Sequence, residues 1–201
     1  MLEYNGGLAV AYYDAQARRP ILALLDNLEE LTDSTAWTRF PLGDLRYNEG
    51  QSPSLKVLPD GRLAMAWYRC GPAELKECRP SDDAVIFSYP ELRNEAGEVS
   101  ETSNKEDLQN IPWKIEIVES GEEALCGFSP QLIIDRAKKI WVTWQCSRRT
   151  ETNGTFEYHL ESARRDSLLD DTSSSALVIC AVFCVLTFFR LMIFSLLIAL
   201  L

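Results

Sequence analysis

The chain has 201 residues, which suits one domain or one domain with an appendage. Its formal net charge is -10, and its longest basic runs are pairs such as Arg18-Arg19 and Lys138-Lys139. Binding to phosphates needs clustered Lys and Arg, so no nucleic-acid partner is expected.

The start, MLEYNGGLAV, lacks the basic and apolar regions of a signal peptide. Residues 5–14, NGGLAVAYYD, read as a turn followed by a strand, with further strands at 21–25 and 36–40. Residues 50–69, GQSPSLKVLPDGRLAMAWYR, read as two strands joined at Pro59-Asp60-Gly61. Pro presets φ, Asp bonds its own backbone, and Gly takes a positive φ without steric cost, so that triplet is a turn. A third strand is expected at 84–89 and a fourth at 112–118. In the fourth, Ile115 and Ile117 alternate with Lys114 and Glu116, as in a half-buried strand.

Between those two strands lies ELRNEAGEVSETSNKEDLQN, residues 91–110. This stretch has too few large apolar groups to offset chain entropy and is expected to be a mobile acidic loop. Residues 127–145, GFSPQLIIDRAKKIWVTWQ, repeat the two-strand phrase with a looser turn at 135–138, and a further strand is expected at 155–160.

The phrase is an internal repeat. Gly50, Ser52, Pro53, Leu55, Val57 and Trp67 fall on Gly127, Ser129, Pro130, Leu132, Ile134 and Trp144 at a constant offset of 77. Asn5, Gly6, Leu8, Ala9, Ala11 and Tyr13 match Asp60, Gly61, Leu63, Ala64, Ala66 and Tyr68 at an offset of 55. A repeat fixes architecture before any residue has a role. Each complete unit reads as a four-stranded antiparallel meander, which is the blade of a β-propeller. The expected fold is all-β: a partial propeller of about two to three blades with one C-terminal apolar helix. The blade segments are 4–43, 50–119 and 127–162, with only three strands expected in the first and last.

Six cysteines occur, at 70, 78, 126, 146, 180 and 184. Cys70 and Cys78 flank Gly71-Pro72 and are a candidate disulfide in an oxidising compartment. The alternative is free thiols packed as small hydrophobes. No two-residue Cys gap occurs and His159 is the single histidine, so neither a metal nor a cofactor is expected. Asn153-Gly154-Thr155 is a glycosylation triplet.

Residues 163–175 read as a polar linker and 176–201, ALVICAVFCVLTFFRLMIFSLLIALL, as a transmembrane helix. The lone Arg190 costs about 2.5–3.5 kcal/mol at a bilayer centre. Each Leu, Ile, Phe or Val returns about 0.3–0.6 kcal/mol, so insertion is favoured. The expectation is a single-pass C-terminal anchor, with the blades on the side where they are made and Arg164-Arg165 beside the membrane.

The Ser-Pro-Ser-Leu, Asp-Gly and terminal aromatic pair of residues 52–68 resemble the repeats of sialidase-like β-propellers. The resemblance covers residues 4 to 160 in fragments and implies the propeller fold. It does not carry over the enzyme. Thr32-Asp33-Ser34-Thr35-Ala36-Trp37 keeps the Asp and Trp of the family's Asp-box but lacks its Gly. No motif gathers the family's three arginines, its Tyr/Glu pair and its Asp acid.

The functional expectation is therefore a non-catalytic, membrane-tethered module that binds a protein or glycan. The alternatives are a fragment of a sialidase-like glycoside hydrolase, or a truncated product without independent function. Tyr13-Asp14, Tyr68-Arg69 and Trp144-Gln145 close the second strand of each unit and are the candidate ligand face. The competing role is packing between blades for the aromatics and turn capping for the polar residues. Open blade edges are expected to favour self-association.

Overall fold

Segments rich in Val, Ile, Leu and aromatic residues build eleven strands among the described residues. The computed structural model describes residues 1–75, 78–79, 81–91, 108, 111–120, 125–149 and 156–165. Most of the expected acidic loop, Asn153, the linker beyond Arg165 and the expected span at 176–201 lie outside the described residues. Among the described residues no helix is long and apolar enough to cross a membrane.

The strands form three antiparallel sheets, none of them closed. The first holds β1 (Leu2–Tyr4), β2 (Gly7–Asp14), β3 (Arg19–Leu25) and β4 (Thr38–Pro41). The second holds β5 (Tyr47–Val57), β6 (Leu63–Pro72), β7 (Ala84–Pro90) and β8 (Trp113–Ser120). The third holds β9 (Leu125–Ile134), β10 (Ile140–Arg149) and β11 (Phe156–Arg165). Within each sheet, strands adjacent in sequence are adjacent in space.

Two strand expectations change. The first unit is four-stranded, because Leu2, Glu3 and Tyr4 pair with Ala9, Leu8 and Gly7. The Asn5-Gly6 turn closes that hairpin, with φ of 50° and 80° at its two residues, so the three residues before it gain ladder partners. The last strand does not stop near Leu160. It pairs with β10 as far as Arg165 opposite Ile140, so the apparent polar linker begins inside a strand.

The sheets stack face to face, and the middle one is buried on both faces. Leu63, Met65 and Trp67 of β6 join Ala9, Leu22, Leu24 and Phe40 of the first sheet in one apolar cluster. Ala64 and Ala66, the alternate residues, join Leu132, Val142 and Trp144 of the third sheet in another. On β7, Ala84 and Ile86 take the first side while Val85, Phe87 and Tyr89 take the second. Strand side chains alternate between faces, so a strand apolar at every position must have a packed neighbour on each side.

Strand β8 keeps its alternation with the opposite polarity to that expected. Ile115 and Ile117 are 40% and 59% exposed. Lys114 and Glu116 are half-buried, because their face meets Tyr89 and Arg165 instead.

The repeated Gly-x-Ser-Pro has a backbone cause. Gly50 and Gly127 have φ of 103° and 109°, and Ser52 and Ser129 both have φ of 49°. These left-handed residues accompany breaks in the ladder register, between Gln51 and Ser54 on β5 and beside Phe128 on β9. A Cβ on Gly50 would come within 2.3 Å of the Pro20 nitrogen, and one on Gly127 within 3.0 Å of the Ala84 carbonyl oxygen. In both copies the motif is where a first strand crosses closely over the third strand of the preceding sheet.

Candidate functional site

The residues singled out by the repeat lie at the junctions between sheets, near the turn from each second strand to the third. Asp14 caps its own turn, and one carboxylate oxygen accepts from the Gln16 and Ala17 backbone N–H groups, each at 2.9 Å. The Tyr13 hydroxyl donates to Asn48 Oδ1 at 2.7 Å, so it bridges from the first sheet to the second.

Arg69 is buried, and its Nε donates to Glu49 Oε2 at 2.8 Å. Glu49 is fully buried, and its other oxygen accepts from the Asp44 backbone N–H. The Arg69 guanidinium also lies 4.0 Å from the centre of the Tyr47 ring. A buried charge pair is helped by further polar contacts, and here the Asp44 amide serves Glu49 while the Tyr47 ring face receives the guanidinium. A backbone bond from Glu49 N to the Arg18 carbonyl ties β5 to the start of β3 beside it, and one from Leu42 N to the Pro20 carbonyl extends the β3–β4 pairing.

Tyr68 sits at the second junction, with its ring 4.9 Å from that of Phe128. Asp83 lies next to it, buried, and accepts from the Cys126 backbone N–H at 2.7 Å. The Tyr68 hydroxyl has Asp83 as its neighbouring acid. Burial, and then the neighbouring Asp83 charge, push its pKa well above the ordinary phenol value. Trp144 is buried and donates through Nε1 to Glu161 Oε2 at 3.2 Å, whereas Gln145 is exposed.

Tyr13, Tyr68, Arg69 and Trp144 therefore join sheets or strands, Asp14 caps a turn, and Gln145 faces water. Among the described residues the structure also holds two disulfides, Cys70–Cys78 and Cys126–Cys146. Sequence reasoning missed the second. Its signal was the offset of 77, which carries Glu49 to Cys126 and Arg69 to Cys146.

A polar cluster closes the far end of the second junction. The Tyr89 hydroxyl donates to Glu116 Oε1 at 3.0 Å, and Arg165 donates to the other Glu116 oxygen. Arg62, Arg165 and Lys114 lie 5.3, 5.4 and 5.9 Å from the Tyr89 ring centre. Burial, and then the Glu116 charge, push Tyr89 up to about 12.

No protein-family model matches the chain, and no curated protein matches it.

Proposed function

We propose that the chain is an arc of a sialidase-like β-propeller, tethered to a membrane by residues 176–201, that works as a non-catalytic binding module. The observation that carries this reading is the division of β6 and β7 between two apolar clusters. Successive four-stranded meanders packed face to face are the building principle of propeller blades. Both outer faces of the stack are apolar in part. Val10 and Tyr12 lie on one, and Ile133, Tyr158 and Leu160 on the other. Those are the surfaces that further blades, or further copies of the chain, would cover.

A binding role fits the polar chemistry better than a hydrolytic one. The Tyr/Glu pair formed by Tyr89 and Glu116 is walled in by three cations and holds a phenol pushed away from ionisation. The ligand is a protein or glycan met at the loop ends of the arc. The full chain, reconstituted in lipid nanodiscs, is expected to leave a fluorogenic sialoside intact and to stay with membranes after alkaline carbonate extraction. Turnover of the sialoside that is lost in Tyr89→Phe would favour the hydrolase alternative. Release by carbonate would remove the tether.

A further inference from the structure

We propose that Cys126, Cys146 and Glu161 form a redox-gated zinc site on the third sheet, with His159 as the neighbouring fourth ligand. Strand register makes the cluster. Cys126 stands opposite Cys146 across β9 and β10, and Glu161 stands opposite Trp144 across β10 and β11. Trp144 and Cys146 are two residues apart, so their side chains share a face. His159 stands opposite Cys146 and shares that face too.

One ligand atom from each of Cys126, Cys146 and Glu161 lies within 4.8 Å of the other two. His159 Nε2 is 2.9 Å from Glu161 Oε1. The other Glu161 oxygen accepts from the Trp144 indole at 3.2 Å, which holds the carboxylate in place. Both cysteines are buried, while Glu161 and His159 are partly exposed and form the side open to water. Two thiolates, an imidazole and a carboxylate are a donor set for tetrahedral zinc. Linear spacing conceals it, because the four residues come from three strands.

In the oxidised chain the two sulfurs are bonded to each other and cannot act as thiolate ligands. A dithiol reductant supplies two electrons and two protons: the Cys126–Cys146 bond breaks to two thiols while the reductant closes to its own disulfide. Zinc then displaces the two thiol protons and binds both sulfurs. Exchange with an oxidised dithiol runs the step backwards: its disulfide takes the two electrons and opens to two thiols, the Cys126–Cys146 bond re-forms, and the metal is released. Cys126 and Cys146 thus lock β9 to β10 covalently in an oxidising compartment and through zinc in a reducing one.

The test uses the full chain in detergent with Cys70, Cys78, Cys180 and Cys184 changed to serine. A phosphine reductant opens the remaining disulfide and becomes the phosphine oxide with oxygen from water. Cobalt(II) is then added without oxygen, followed by zinc. The expected result is one cobalt per reduced chain, with a thiolate-to-metal charge-transfer band and tetrahedral visible bands that zinc abolishes. The oxidised chain gives neither band. Glu161→Gln, a partly exposed change that spares both cysteines, is expected to weaken zinc binding about tenfold or more. A reduced chain without the thiolate–cobalt band would overturn the site. Unchanged zinc affinity in Glu161→Gln would overturn the assignment of Glu161 as ligand.

Discussion

Glu49 and Arg69 face each other across β5 and β6 at the place where, 77 residues on, Cys126 and Cys146 are bonded across β9 and β10. One copy of the repeat clamps its first two strands with a buried ion pair, and the next clamps them with a covalent bond. Both pairs stand just before the left-handed glycine of the repeat, where the first strand crosses the preceding sheet.

The equivalence makes the two clamps exchangeable. Glu49→Cys with Arg69→Cys is expected to form an additional disulfide, detected by mass spectrometry after alkylation of free thiols. Removing only one partner leaves a buried charge alone. Glu49→Gln or Arg69→Met is expected to cost about 3–5 kcal/mol in a denaturant titration. A loss below about 1 kcal/mol, the range of exposed pairs, would show that water reaches the pair.

The glycines of the repeat should not be equal. Gly50→Ala places a Cβ against the Pro20 backbone in a left-handed conformation, and Gly127→Ala places one 2.8 Å from Tyr68 Cδ2. Each is expected to destabilise the fold by about 3 kcal/mol or more, from backbone strain together with overpacking. Gly61 also has a positive φ, but a Cβ there meets nothing within 4 Å. Gly61→Ala is expected to cost about 1 kcal/mol, the strain alone. Equal losses at the three positions would contradict the close crossing of strands.

Much of the scaffold was legible because it is local. The Pro59-Asp60-Gly61 turn, the alternation within 63–68 and the match of Gly50 to Gly127 need only neighbouring residues. The junction chemistry was less legible because it depends on register. Nothing near Asp83 announces that it will meet the Cys126 amide, and Glu49 looks like any charged residue of a polar turn. Cys126 and Cys146 are 20 residues apart in sequence, and only the pairing of β9 with β10 brings them together. The same reasoning explains β8. Its period was readable, but which face the neighbouring sheet would cover was not, since Tyr89 and Arg165 draw Glu116 inward.

Two groups set opposite pH limits. Arg46 holds the Asp44 carboxyl at about 2, below its ordinary 3.8. A lowered folded pKa means that the stability from Asp44 is complete above that ordinary value and is lost as pH falls towards about 2. Tyr89 is raised from 10.0 to about 12, so its contribution is complete below the lower value and is lost as pH rises through the upper. A carboxyl-detected NMR titration should show Asp44 with a midpoint near 2. Tyr89→Phe should flatten the alkaline fall in stability. An unchanged alkaline profile in that variant would argue against the buried Tyr89 cluster.

The exposed apolar face of the third sheet should govern association. Tyr158→Ser with Leu160→Lys removes two large exposed apolar groups from β11, an edge strand. Light scattering of the chain in nanodiscs, each loaded with one copy, should show pairs of discs for the native chain and single discs for the variant. Pairing that persists in the variant would place the contact elsewhere.

The most direct test of the stacked-sheet architecture is a methyl and aromatic NOE map of β6 in the full chain. The structure predicts cross-peaks from Met65 and Trp67 only to the cluster shared with the first sheet, and from Ala64 and Ala66 only to the cluster shared with the third. Cross-peaks from one β6 residue to both clusters, or amide contacts pairing β4 with β5 or β8 with β9 as neighbours in one continuous sheet, would contradict it.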